Sequence, residues 1–244
     1  MRRFVYIRCE LLRTIRNRRY ALAALGFPIV LYFLIAGPNK GEHDLGGSGL
    51  SAPLYYMVGL ASFGAMNAML SVAGRIATER TAGWNRQLRL TPLTARDYFR
   101  IKILTGYLTV LAALALLFLA GTTLGVRLGA RDWLVMTGLI LVGLVPFGAL
   151  AVLLGHVITA DAIGPAMGGL VALLAVLGGV WFPITGGALY DIGRALPSYW
   201  LVQASHVALG GQGWGRTGWL VVAGWTIVLG ALARRAYRRD TARV

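Results

Sequence analysis

Acidic residues are scarce in this chain. Nine Asp and Glu stand against 24 Lys and Arg in 244 residues, and charged residues of both signs make up only 14%. A soluble domain carries roughly 25%, so this much charge could not cover a water-facing surface of such size. Lysine is nearly absent: Lys40 and Lys102 are followed by Gly41 and Ile103. A P-loop needs Lys followed by Ser or Thr after a glycine-rich turn, so the chain has no such site for ATP. The single cysteine, Cys9, excludes an internal disulfide. His43, His156 and His206 form no H-E-x-x-H pattern and, with one cysteine, no visible zinc cluster. Neither Ser48 nor Ser62 completes G-x-S-x-G. Together these absences exclude a disulfide scaffold and disfavour a soluble globular enzyme or a disordered chain.

What is present is apolar: 57% of residues are hydrophobic and 33 are Gly, with a mean hydropathy of +0.66. Six stretches free of Asp, Glu, Lys and Arg occupy 20–36, 54–73, 103–125, 133–158, 162–182 and 217–233. A hydrocarbon core of about 30 Å takes roughly 20 helical residues. The alternation of a transmembrane barrel is missing. The expected fold is therefore all-α and integral to a membrane, with six transmembrane helices in one domain over 1–244. No span carries the paired acids of an intramembrane protease or a proton relay.

Basic residues set the expected orientation. Segments 1–19, 75–102 and 234–244 hold 19 of the 24, and 37–53, 126–132 and 183–216 hold the other five. The positive-inside rule places both termini and 75–102 in the cytoplasm. The excess positive charge thus reads as contact with anionic headgroups, not with nucleic acid. The first stretch is expected to stay in the chain, because its basic flank and apolar run are both longer than those of a signal peptide.

Three segments are not spans. In 2–19, Phe4, Ile7, Leu11 and Ile15 recur at helical spacing, with Arg2, Arg13 and Arg16 off that stripe. This predicts an interfacial helix over 1–19. The polar segment 75–102 is too long for a simple turn. Thr91-Pro92 ends any preceding helix, and Thr94 with Asp97 has the spacing that starts a new one. A helix–break–helix here offers a docking surface for a soluble partner; otherwise the segment is a solvated loop that fixes topology. Segment 183–216 contains Pro183, Pro197, Gly186-Gly187 and several aromatics, and Ala188–Leu196 suits a short amphipathic helix. It reads as an outer re-entrant or interfacial element. Within the spans, Asn67 serves either a hydrogen bond inside the bundle or contact with a substrate along a pathway. Pro146 predicts a kink in the fourth span.

Glu79, Arg80, Gly83, Leu88, Thr91, Pro92 and Leu93 resemble a stretch of the membrane subunit of ABC-2 type transporters, E-R-x-x-G-T-x-x-x-L-x-x-T-P-L, found between the second and third spans. Trp84 stands where that family has Thr, while Arg96 and Lys102 also fit. A second match is G-x-x-F-P at Gly179, Phe182 and Pro183, followed by Leu196-Pro197; His206 replaces a frequent Arg. The resemblance covers nearly the whole chain. It implies the permease subunit of an exporter in the cytoplasmic (inner) membrane of a bacterium. The cargo would be a hydrophobic or amphipathic drug, lipid, glycan or peptide. It implies that Glu79, Arg80, Gly83, Leu88, Thr91 and Pro92 couple this chain to a dimeric ABC ATPase. That partner would bind ATP and Mg, leaving this chain without a cofactor, metal or catalytic residue. A second permease copy, or a homologous permease, would complete the pathway among membrane lipids, with no role for nucleic acid. The alternatives are an integral-membrane enzyme, which would need ionisable groups gathered at one depth, and a secondary transporter, which would show repeats and broken, charged helices.

Overall fold

A computed structural model describes residues 25–83, 95–209 and 214–242. Among these residues every regular element is helical. In chain order they are α1 (Phe27–Ala36), α2 (Ala52–Thr81), α3 (Ala95–Thr123), α4 (Ala130–Gly143), α5 (Val145–Val157), α6 (Ala160–Leu177), α7 (Gly187–Arg194), α8 (Pro197–Gln203) and α9 (Arg216–Ala242). Short 3₁₀ turns occupy Leu45–Gly47 and Ala204–Leu209. Five stretches are long and apolar enough to cross a membrane: Ala52–Thr81, Asp97–Thr123, Ala130–Val157, Ala160–Leu177 and Arg216–Asp240. Of the first expected span, 20–36, residues 25–36 are described, and α1 is ten of them. The beginning of that span, like the helix expected over 1–19, lies outside the described residues.

The architecture is a bundle around α2. Of its membrane-length window 78% is buried in the protein, against 22% for α6 and for α9. Met57, Val58, Leu60, Ala65, Met66, Ala68 and Met69 bury apolar atoms on every side, so α2 has no face suited to solvent. Helices α1, α3, α5, α6 and α8 pack on it. Small residues set the closest approaches. A Cβ on Gly155 of α5 would lie 2.7 Å from Ile76 Cβ of α2, closer than packing allows.

The fourth span is broken. Helix α4 stops at Gly143 and α5 starts at Val145, with Pro146 in its first turn. Pro146 has no N–H to donate and its ring crowds the preceding turn, as the sequence predicts. The Tyr107 hydroxyl of α3 donates to the Leu141 carbonyl at 3.0 Å, in the last turn before the break. The fifth span ends at Leu177, five residues before the apolar run does. Gly179 takes φ +74, and the Gly179 and Val180 N–H groups return to the Val176 and Ala175 carbonyls at 3.1 and 2.9 Å. That pair of bonds closes a helix end with glycine in the left-handed region. The Tyr55 hydroxyl of α2 donates to the Gly179 carbonyl.

Helices α7 and α8 fill the segment expected to hold a short amphipathic helix. Tryptophan N–H groups fix them by satisfying carbonyls at helix ends. Trp200 donates to the Arg194 carbonyl at 2.9 Å, Trp225 of α9 to that of Ala195 at 2.8 Å, and Trp214 to that of Trp200 at 2.6 Å. Pro197, Ser198, Tyr199, Leu201 and Val202 of α8 are buried. Helix α8 is therefore packed into the bundle, while α7 buries only Gly193 and is held at its C-terminal end by these bonds.

Two helices outlast their apolar runs. Helix α2 continues past residue 73 to Thr81, and α9 continues past 233 to Ala242. Arg, Glu and Ala are good helix formers, and arginines at the C-terminal end of α9 oppose the helix dipole.

Candidate functional site

Thirty residues of α2 rise about 45 Å, well beyond a hydrocarbon core of about 30 Å. The last turns therefore emerge at the end of the bundle that carries the charged residues Arg75, Glu79 and Arg80. Two consecutive side chains there reach in different directions. Glu79 turns to α3 and Arg80 turns to the corner between α5 and α6.

Glu79 accepts from Lys102 Nζ at 2.5 Å through one carboxylate oxygen and from the Tyr98 hydroxyl at 2.5 Å through the other. The Lys102 side chain is 0% exposed and that of Glu79 9%. Tyr98 and Lys102 stand four apart on α3, so they share one helical face. Nζ also lies 5.4 Å from the Tyr98 ring centroid, within reach of the ring's negative face. A buried charge pair persists only when the remaining donors and acceptors are met; here Tyr98 meets the second carboxylate oxygen.

Arg80 donates through Nη1 to the His156 carbonyl and through Nη2 to the Ile158 carbonyl, the latter at 3.0 Å. These oxygens lie at the C-terminal end of α5, where carbonyls lack partners within the helix. The planar fork of a guanidinium suits two oxygens at once. Beneath it, the His156, Phe99 and Tyr237 rings of α5, α3 and α9 form a triangle, with centroids 5.6 Å apart for Phe99–His156 and His156–Tyr237 and 5.0 Å for Phe99–Tyr237. The His156 Nδ1, in the tautomer that carries its proton there, donates to the Val152 carbonyl at 2.8 Å.

Helix α2 ends at Thr81, and Gly83 follows in the turn after it. That residue adopts φ +69, in the left-handed region that favours glycine. The chain then enters 84–94 and re-emerges as α3, whose first turn holds Asp97. Glu79, Arg80 and Gly83 thus gather at one helix end, while Leu88, Thr91 and Pro92 lie outside the described residues. Asn67 is about 18 Å earlier along α2 by helical rise. It is half-buried and makes no hydrogen bond among the described residues.

Sequence reasoning did not pair Glu79 with Tyr98 and Lys102. The available signal was the rarity of lysine: one of only two in the chain falls at the start of an apolar run.

The family described as ABC-2 family transporter protein matches residues 42–234. The chain belongs to the ABC-2 family of transporter proteins. It is 29% identical over 196 residues to YvfS of Bacillus subtilis (strain 168), named as a transport permease, and the match covers 78% of each chain. Several membrane-length apolar helices in a transporter family make it a multi-pass membrane protein. The ABC-2 match takes in all of α2, α3, α5 and their charged contacts, and it ends at Arg234, within α9.

Proposed function

We propose that this ABC-2 chain is the permease subunit of an ATP-driven exporter in the cytoplasmic membrane of a bacterium. In this reading it is one domain of six spans with both termini inside. It works with a dimeric ABC ATPase that binds ATP and Mg, and with a second permease copy or a homologous permease. The cargo is hydrophobic or amphipathic: a drug, lipid, glycan or peptide. Residues 75–102 are the coupling region, with Glu79, Arg80, Gly83, Leu88, Thr91 and Pro92 as its working residues, and Asn67 faces the pathway.

One observation carries this reading. The ends of the segment 84–94 are fastened to the bundle, because Glu79 binds Lys102 and Tyr98 across α2 and α3 while Arg80 grips the α5–α6 corner. A push on that segment would then move three spans together instead of deforming one loop. The half-buried turn at Gly83, with φ +69, leads into that segment and suits the close approach of a partner.

The test is reconstitution with an ABC ATPase subunit that assembles with this chain. Gly83→Trp and Pro92→Gly should leave the complex assembled and hydrolysing ATP while export falls at least about tenfold, a barrier of about 1.4 kcal/mol. Full export by both variants would reduce 75–102 to a topology-setting loop.

A further inference from the structure

Between α3, α5 and α9 lies an open groove of about 770 Å³ on the outer face of the bundle. Its walls are apolar: Leu104 and Tyr107 of α3, Val152 of α5, and Gly230 and Ala233 of α9. Its mouth is basic, with Arg100 from α3 and Arg234 and Arg238 from α9. Phe99, early in α3, meets Tyr237, late in α9, with ring centroids 5.0 Å apart. The arginines early in α3 and late in α9 therefore meet at one end of the groove. By helical rise the groove is about 12 Å long from Arg238 to Gly230. Among the described residues none of the lining groups is acidic. Arg100 and Arg234 are exposed.

From this shape and charge we infer that the groove holds an anionic phospholipid. One acyl chain lies along Leu104, Tyr107 and Gly230, and the phosphate sits between Arg100 and Arg234. An arginine fork matches phosphate oxygens, and basic side chains beside a membrane attract anionic headgroups. A slot that is apolar along its length and cationic at one end matches the phosphate of such a lipid and the adjoining part of one acyl chain. A free phosphate would leave the apolar walls uncovered, and a second copy of this chain, with its excess of arginine, would meet like charge at the mouth. The leaflet rests on the orientation proposed above: with both termini inside, the arginines face the cytoplasmic leaflet.

Gly230 permits a direct test, because among the described residues no other helix comes within 4 Å of a Cβ placed there. Gly230→Leu fills the slot without disturbing the helix packing. Full-length protein is purified in mild detergent with phosphatidylglycerol or phosphatidylcholine, and retained lipid is counted by native mass spectrometry. The expected result is selective retention of phosphatidylglycerol, lowered about tenfold or more by Arg100→Ala with Arg234→Ala and lost in Gly230→Leu. Equal retention of both lipids, no effect of either variant, or displacement by millimolar inorganic phosphate would overturn the site. So would disulfide formation between copies through Leu104→Cys in a Cys9→Ser background, which would put a protein on this face. Thiol labelling at position 234 in inverted vesicles separates the two questions. If that position is reached only from outside the cell, the orientation fails and the site moves to the other leaflet; the lipid count alone decides whether the site exists.

Discussion

Lys102 and Glu79 are 23 residues apart in sequence and 2.5 Å apart in space, and the lysine has no exposure to solvent. Their bond joins the end of one spanning helix to the start of the next, across the segment that the proposed ATPase would touch.

Removing one partner should cost more than removing both. Lys102→Met or Glu79→Gln alone leaves a buried group without its counterpart, at about 3–5 kcal/mol for such pairs. The double variant should lose clearly less than the sum of the singles. Thermal unfolding in detergent, arranged as a double-mutant cycle, measures this; simple additivity would mean that the pair does not couple the helices.

Packing at Gly155 should be unforgiving. An added Cβ would meet Ile76 Cγ2 at 2.9 Å and the Ala73 carbonyl at 3.0 Å, so Gly155→Ala should destabilise by about 1–3 kcal/mol. Gly224→Ala in α9, where nothing lies within 4 Å, should be neutral or stabilising by up to about 1 kcal/mol through helix propensity. Equal melting shifts for the two would contradict the close contact of α5 with α2.

Topology is open to thiol labelling of intact cells in a Cys9→Ser background. His43→Cys and Asp191→Cys should react with an impermeant reagent, and Thr81→Cys should react only after lysis. All three sites are exposed on the protein. Labelling of position 81 from outside would reverse the orientation.

Acid should weaken the segment 183–216 through His206. Burial lowers its pKa from the ordinary 6.5, against the opposing effect of a hydrogen bond with the Gln203 backbone. The unfolded chain then binds the proton more readily, so its contribution is full above about pH 6.5 and is lost as pH falls through the lowered folded value. His206→Gln should flatten the stability profile on that acid side. An unchanged profile would exclude His206 as its source.

The indole bond from Trp225 to the Ala195 carbonyl should contribute about 1 kcal/mol. Trp225→Phe should therefore raise hydrogen exchange in α7 and leave α2 unaffected. Exchange rising across the whole bundle would show that α7 does not move independently.

The sequence alone determined the all-helical membrane class, the break at Pro146, the helix within 183–216 and the residues that resemble ABC-2 transporters. Those features are local: apolar run length, a proline without an N–H, glycine and aromatic placement, and a short motif. Tertiary structure decided which helix is central. The apolar runs look alike in composition, and only packing shows that α2 is enclosed while α6 and α9 keep open faces. It also decided the helix ends. The run at 162–182 stays apolar past Leu177, but the bonds closed by Gly179 and Val180 end the helix there. The partners of Glu79 and Arg80 lay beyond the sequence because they depend on distance across helices. Spacing of four relates Tyr98 to Lys102, but nothing in a linear pattern relates residue 79 to 102 or residue 80 to 158. That relation follows from the angle and depth at which α3 and the α5–α6 corner pack on α2, which the whole core fixes at once.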